Sequence, residues 1–117
     1  MMRWLAKRRD AFGHAGRGIV LLLTETHGRV HAAATVVIIV LGLWLNISST
    51  DWALLAICIA LVLAVEAINT AIECIVDIVS PEWHPVARDA KDLAAGGVLV
   101  AAIGAAVVGV LVFWPYL

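Results

Sequence analysis

Five polar residues recur along one otherwise apolar run: Glu66, Asn69, Thr70, Glu73 and Asp77, among Ala, Ile, Val, Leu and Cys. A helix turns about 100° per residue, so with Glu66 at zero, Glu73 falls at about −20° and Asp77 at about +20°. Asn69 falls at about −60° and Thr70 at about +40°, so all five share one face about 100° wide. Carboxylates in such a row can hold Mg²⁺ against phosphate oxygens, and a positioned carboxylate can take a proton from an alcohol. Arg88, Lys91 and Asp92 follow a short distance downstream. A lysine facing the acids would neutralise a transferred phosphoryl group, so the set suits phosphoryl transfer. The same acids also suit a small ion or proton transporter, and the residues alone leave both readings open.

The elements that position these groups belong in a bilayer. Hydrophobic residues make up 63% of the chain and charged residues 15%, too few charges for the surface of a soluble domain of this size. Three apolar runs predict three transmembrane helices, over about residues 30–47, 52–79 and 93–116, in a single domain covering 1–117. Eighteen helical residues cover about 27 Å, close to the thickness of a bilayer core. The acidic stripe lies in the later half of the second span. An ionised Asp facing lipid at mid-bilayer costs ~2.5–3.5 kcal/mol, so these acids must face protein, water or a bound cation. Residues 80–92 read as a loop.

Arg3, Lys7, Arg8, Arg9, Arg17 and Arg29 precede the first span, and Arg88 and Lys91 lie between the second and third. The residues between the first two spans, and those after the third, carry no Lys or Arg. Positive-inside counting puts the N-terminus and the second connection in the cytoplasm, and the acids in the cytoplasmic leaflet. The start of the chain has no long apolar h-region of a secretory signal. Net charge is −1, which excludes a broad basic face for nucleic acid.

Before the first span, Leu5, Phe12, Ala15, Ile19 and Leu22 alternate with Lys7, Arg8, Asp10 and Arg17 at helical steps. This predicts an amphipathic surface helix over about residues 4–27. Gly13, Gly16 and Gly18 each cost up to ~1 kcal/mol there and predict a broken or mobile helix. On the third span, Gly97, Ala101, Ala105 and Gly109 form a row that lets another helix approach closely. Cys58 and Cys74 are sixteen apart on one predicted helix, too far to pair, and read as small apolar fillers. His27 and His31, four apart, lack a third zinc ligand, and His31 reads as an interfacial residue. The phosphate-binding loop and the protein-kinase signature motifs are absent, so phosphate must be held by helix side chains.

The segment Glu66-Ala-Ile-Asn-Thr-Ala-Ile-Glu73-Cys-Ile-Val-Asp77, followed by Ala90-Lys91-Asp92, resembles the small bacterial diacylglycerol kinase and undecaprenol kinase family. Glu25-Thr-His-Gly-Arg29-Val-His31 resembles that family's E-x-N-x-R/K-I-H element, and Phe12-Gly-His14-Ala-Gly-Arg-Gly18-Ile19 its F-x-Y/H-A-x-x-G-I element. The resemblance implies an all-α membrane protein working as a homotrimer with shared active sites in the bacterial inner membrane. It implies transfer of phosphate from ATP, with Mg²⁺, to a lipid alcohol.

It also implies roles. Glu66 matches the general base, Glu25 and Glu73 the metal-binding acids, and Lys91 and Asp92 nucleotide contacts, as does Glu82-Trp83-His84. Asn69 and Asp77 match polar residues that support the site, and His14 stands near the nucleotide. Two departures bear on the substrate. His27 replaces a usual Asn, with Gly28 beside it opening the headgroup pocket. Ala95 stands where diacylglycerol-specific members carry Ser, which removes one hydrogen bond to the lipid. Thr50-Asp51-Trp52, Glu82-Trp83-His84-Pro85 and Phe113-Trp114-Pro115-Tyr116 look more like the undecaprenol kinase branch.

Overall fold

The computed structural model describes all 117 residues, and every regular element is helical. Helix α1 spans Met2–Thr24, α2 Thr26–Leu45, α3 Ser49–Val79 and α4 Pro85–Phe113, with a terminal 3₁₀ turn over Trp114–Tyr116. Helices α2 and α3, together with Pro85–Tyr116, are each long and apolar enough to cross a membrane. The short connections make the three spans run up, down and up. Helix α3 packs against all three other helices, most extensively against α4. The molecule measures 50 × 47 × 20 Å, a flat shape that a long bundle and a projecting α1 together produce.

Helix α1 runs through Gly13, Gly16 and Gly18 without a break. Its first four turns lie on the surface, so nothing competes with its own hydrogen-bond ladder. It ends at Glu25, whose extended backbone (φ −78°, ψ 143°) forms the corner between α1 and α2. The corner is tight. A Cβ on Gly28 would collide with the carbonyl oxygen of Leu22, so only glycine lets α2 start this close to the end of α1. Gly28 is therefore a close-approach position.

The α2–α3 turn is set by three local devices. Asn46 takes the left-handed conformation (φ 52°) at the end of α2. The Ser48 side chain accepts a 3.1 Å hydrogen bond from the Asp51 amide and caps α3. The Tyr116 hydroxyl donates to Asp51 Oδ2 at 2.7 Å and accepts from the Ser48 amide at 3.2 Å, tying the chain's last turn to this corner. Ile47, Leu55, Val112 and Phe113 form the main apolar core just inside it.

Helix α4 begins earlier than the charge pattern indicated. Pro85 opens it, and His84 caps it by accepting the Val86 amide at Nδ1 (3.1 Å). A proline at the first helical position lacks only a donor that would be unpaired anyway. The segment 85–92 is thus two helical turns rather than loop, and these turns carry Lys91 and Asp92 on a rigid element.

Only 11 of 117 residues are buried, and apolar side chains cover most of the outside of the spans. In a bilayer those faces meet acyl chains, so close packing of small residues holds the helices together. The α4 row contributes within the chain: Ala101 is buried, and Gly97 lies against Val65.

Candidate active site

The acids of α3 occupy different depths. At ~1.5 Å per residue, Glu66 lies about 22 Å along the helix from Asp51, Glu73 about 33 Å and Asp77 about 39 Å. A hydrocarbon core about 30 Å thick that begins at Trp52 contains Glu66 and ends near Glu73. Burial follows this depth. Glu66 is 2% exposed and Asn69 is 7% exposed, whereas Glu73 and Asp77 are exposed. The acid that lipid would penalise is wrapped by protein, and those at the aqueous end are open.

Each polar group of the stripe has a distinct setting. Glu66 Oε2 lies 3.5 Å from Nε2 of His31 on α2. His31 therefore turns into the bundle rather than to the interface. Asn69 Nδ2 donates to Glu73 Oε1 at 3.3 Å, which orients that carboxylate. Asn69 Oδ1 is buried and accepts no hydrogen bond. A buried acceptor left unpaired costs about 1–3 kcal/mol. Thr70 donates to the Glu66 carbonyl at 3.1 Å, so its hydroxyl is absorbed by the helix.

Lys91, near the start of α4, makes an ion pair with Asp77 across the α3–α4 contact. Arg88 instead pairs with Asp89 at 3.4 Å and lies 5.7 Å from the centre of the Trp83 ring, away from the stripe. Lys91 is thus the cation of α4 that faces the acids.

The remaining predicted residues surround this end at greater distance. Glu25 is exposed at the α1–α2 corner, and His14 is exposed on α1 about three turns earlier. Glu82, Trp83 and His84 are exposed in the α3–α4 connection, where His84 spends Nδ1 as a helix cap. Asp92 and Ala95 are exposed on α4, with Ala95 one turn beyond Lys91. No three acids, histidines or cysteines of this chain converge into a cation cage. Mg²⁺ characteristically takes one or two carboxylates and completes its shell with water and substrate phosphates. Glu73, with one oxygen fixed by Asn69 and its carboxylate open to the surface, is a donor of that kind.

An apolar groove of about 530 Å³ runs from the buried end of the stripe toward Trp114 and Leu117. It is the gap left because α2 and α4 both pack on α3 more than on each other. Ala102, Ala105, Ala106 and Gly109 keep its α4 wall low, and Ile38, Leu55, Ile59 and Val62 form its other walls. His31 lines its polar end. The role of His31 was not visible in the sequence, where its one distinguishing mark is its place in the Glu25–His31 element.

A membrane bundle with a carboxylate–lysine end and an apolar groove beside it has the form of an enzyme acting on lipids. Residues 13–113 match the family model described as prokaryotic diacylglycerol kinase. The undecaprenol kinase of Bacillus subtilis (strain 168) is 39% identical over 108 residues, covering 92% of this chain and 88% of that protein. The diacylglycerol kinase of Escherichia coli (strain K12) is 30% identical over 107 residues, covering 91% of this chain and 88% of that one. The chain belongs to the prokaryotic diacylglycerol kinase family, and it is a membrane-embedded lipid kinase.

Proposed function

We propose that the protein transfers the γ-phosphate of MgATP to the hydroxyl of a membrane lipid alcohol, undecaprenol in preference to diacylglycerol. The observation that carries this reading is the graded stripe: a protein-buried Glu66, beside the His31 that lines an apolar groove, in line with half-buried Lys91 and exposed Glu73 and Asp77. A lipid's tail would lie in the groove while its hydroxyl reaches the level of Glu66. Nucleotide would reach the open end from water. Glu66 acts as general base for the hydroxyl. Glu25 and Glu73 hold Mg²⁺, which supplies charge neutralisation to the phosphates when bound. Asn69 orients Glu73. Lys91, released from Asp77, neutralises the transferred phosphoryl group. Asp77, Asp92, His14, Glu82, Trp83 and His84 form the nucleotide surround.

All eight Lys and Arg residues fall on α1, in the first turn or so of α2 or near the start of α4, and the last two are at the same end of the bundle. That supports an N-terminus and active end on the cytoplasmic side of the bacterial inner membrane. Exposed carboxylates and extensive uncovered apolar faces suit a homotrimer in which a neighbouring copy completes each site. The preference for undecaprenol is supported by Ala95, which offers no hydroxyl to a glycerol headgroup. An ion path has less support, because beyond Glu66 the groove wall is almost wholly apolar.

The test offers purified protein MgATP with undecaprenol and diacylglycerol side by side in micelles. Labelled phosphate should appear in undecaprenyl phosphate first, and Glu66→Gln should lower kcat by about 10²–10⁴. Transfer to neither lipid would overturn the reading, and full activity in Glu66→Gln would remove Glu66 as base.

A further inference from the structure

Glu66 does not line the groove; His31 does. The carboxylate lies behind the imidazole, with Nε2 of His31 3.5 Å from Glu66 Oε2, and the two side chains are 21% and 3% exposed. The one hydroxyl-bearing residue of the groove, Thr35, donates to the His31 carbonyl at 2.8 Å and is already spent. An alcohol whose tail lies in this groove therefore meets an imidazole before it meets a carboxylate.

We propose that His31 is a catalytic residue of the transfer, standing between the acceptor hydroxyl and Glu66 as a proton relay. This rests on the lipid-kinase reading above, and on Glu66 as base, and adds the atom that touches the hydroxyl. With Nε2 3.5 Å from Glu66 Oε2, the imidazole closes on the carboxylate to hand over an Nε2 proton and takes one at Nδ1. As the acceptor oxygen bonds to the γ-phosphorus, its O–H bond breaks and the proton goes to Nδ1. The Nε2 proton passes to Glu66 Oε2, so the imidazole stays neutral as its other tautomer and Glu66 becomes the acid. The electron pair of the broken O–H bond forms the new O–P bond, and the pair of the γ-phosphate–ADP bond leaves with ADP. A histidine suits this place because it can accept a proton at one nitrogen while giving one up at the other.

The inference also explains why Glu66 can be so deeply buried and still act. A carboxylate 3% exposed and set back from the groove wall is reached through the imidazole edge, which lies between groove and acid.

The experiment compares His31→Gln, His31→Ala and Glu66→Gln with the unmodified full chain in micelles, using MgATP and undecaprenol. Both His31 variants should lower kcat by about a hundredfold or more while leaving the KM for ATP unchanged. Added imidazole should restore rate to His31→Ala, whose missing ring leaves room for it, and not to Glu66→Gln. A His31→Gln enzyme as fast as the unmodified one would overturn the relay, since glutamine keeps a donor but cannot carry a proton. An inactive His31→Ala that ignores imidazole would overturn it as well. Either result leaves the kinase reading standing, whereas an unmodified chain that phosphorylates no lipid alcohol ends both.

Discussion

The two ends of the bundle treat their polar groups in opposite ways. At the α2–α3 corner, the Asp51 carboxylate accepts from Tyr116, the Asp51 amide donates to Ser48 Oγ, and Tyr116 in turn accepts the Ser48 amide. The largest apolar cluster lies immediately inside. At the α3–α4 end, Glu73 and Asp77 are exposed, and Asn69 Oδ1 is buried without a partner. An acid at one end completes the fold, and the acids at the other are held in place but not used up. Sequence position within a polar stripe does not distinguish these two conditions; the partner supplied by another helix does.

Four substitutions test that contrast. Lys91→Ala, at the open end, should lower kcat by about 10²–10³ while the protein stays folded. Measuring phosphate transfer beside detergent-resistant helicity separates the two effects, and a folded variant with full activity would break the comparison. Asn69→Ala releases the Glu73 carboxylate from its orienting donor. The Mg²⁺ concentration for half-maximal rate should rise by about 10–100-fold, as when a group supporting a metal ligand is lost. An unchanged Mg²⁺ titration would mean that Asn69 serves packing instead.

Gly28→Ala forces a methyl group against the Leu22 carbonyl, with a cost of about 1–3 kcal/mol. Because that corner carries Glu25, activity should fall together with protection of α1 against protease. Protection retained at full activity would show that the corner can relax. Tyr116→Phe should have the smallest effect, a measurable fall in the midpoint of thermal unfolding with kcat unchanged. A loss of kcat there would show that the sealed end communicates with the site, and the separation of the two ends would fail.

The stripe on α3 is legible in the sequence because it depends on one helix and its periodicity. The membrane setting is equally local, since uncharged runs of this length have few alternatives in water. Lys91 was nameable as the cation to watch, but its pairing with Asp77 depends on α4 starting at Pro85, which a charge count obscures. His31 facing Glu66 could not be read from spacing, because the two residues sit on different helices and meet only when α2 packs on α3.

By itself, the sequence determined three spans, a surface helix ahead of them, the one-sided arrangement of Glu66, Asn69, Glu73 and Asp77, and membership of a kinase family. Hydropathy and a 3.6-residue period require no knowledge of neighbours. The tertiary structure alone decided that Glu66 is enclosed while Glu73 and Asp77 are open, that His31 stands at the head of the groove, that Gly28 is a contact point, and that Tyr116 closes the far end on Asp51. These properties depend on what another helix brings within a few ångströms, and residues 65 apart in the chain, as Tyr116 and Asp51 are, carry no mark of their meeting.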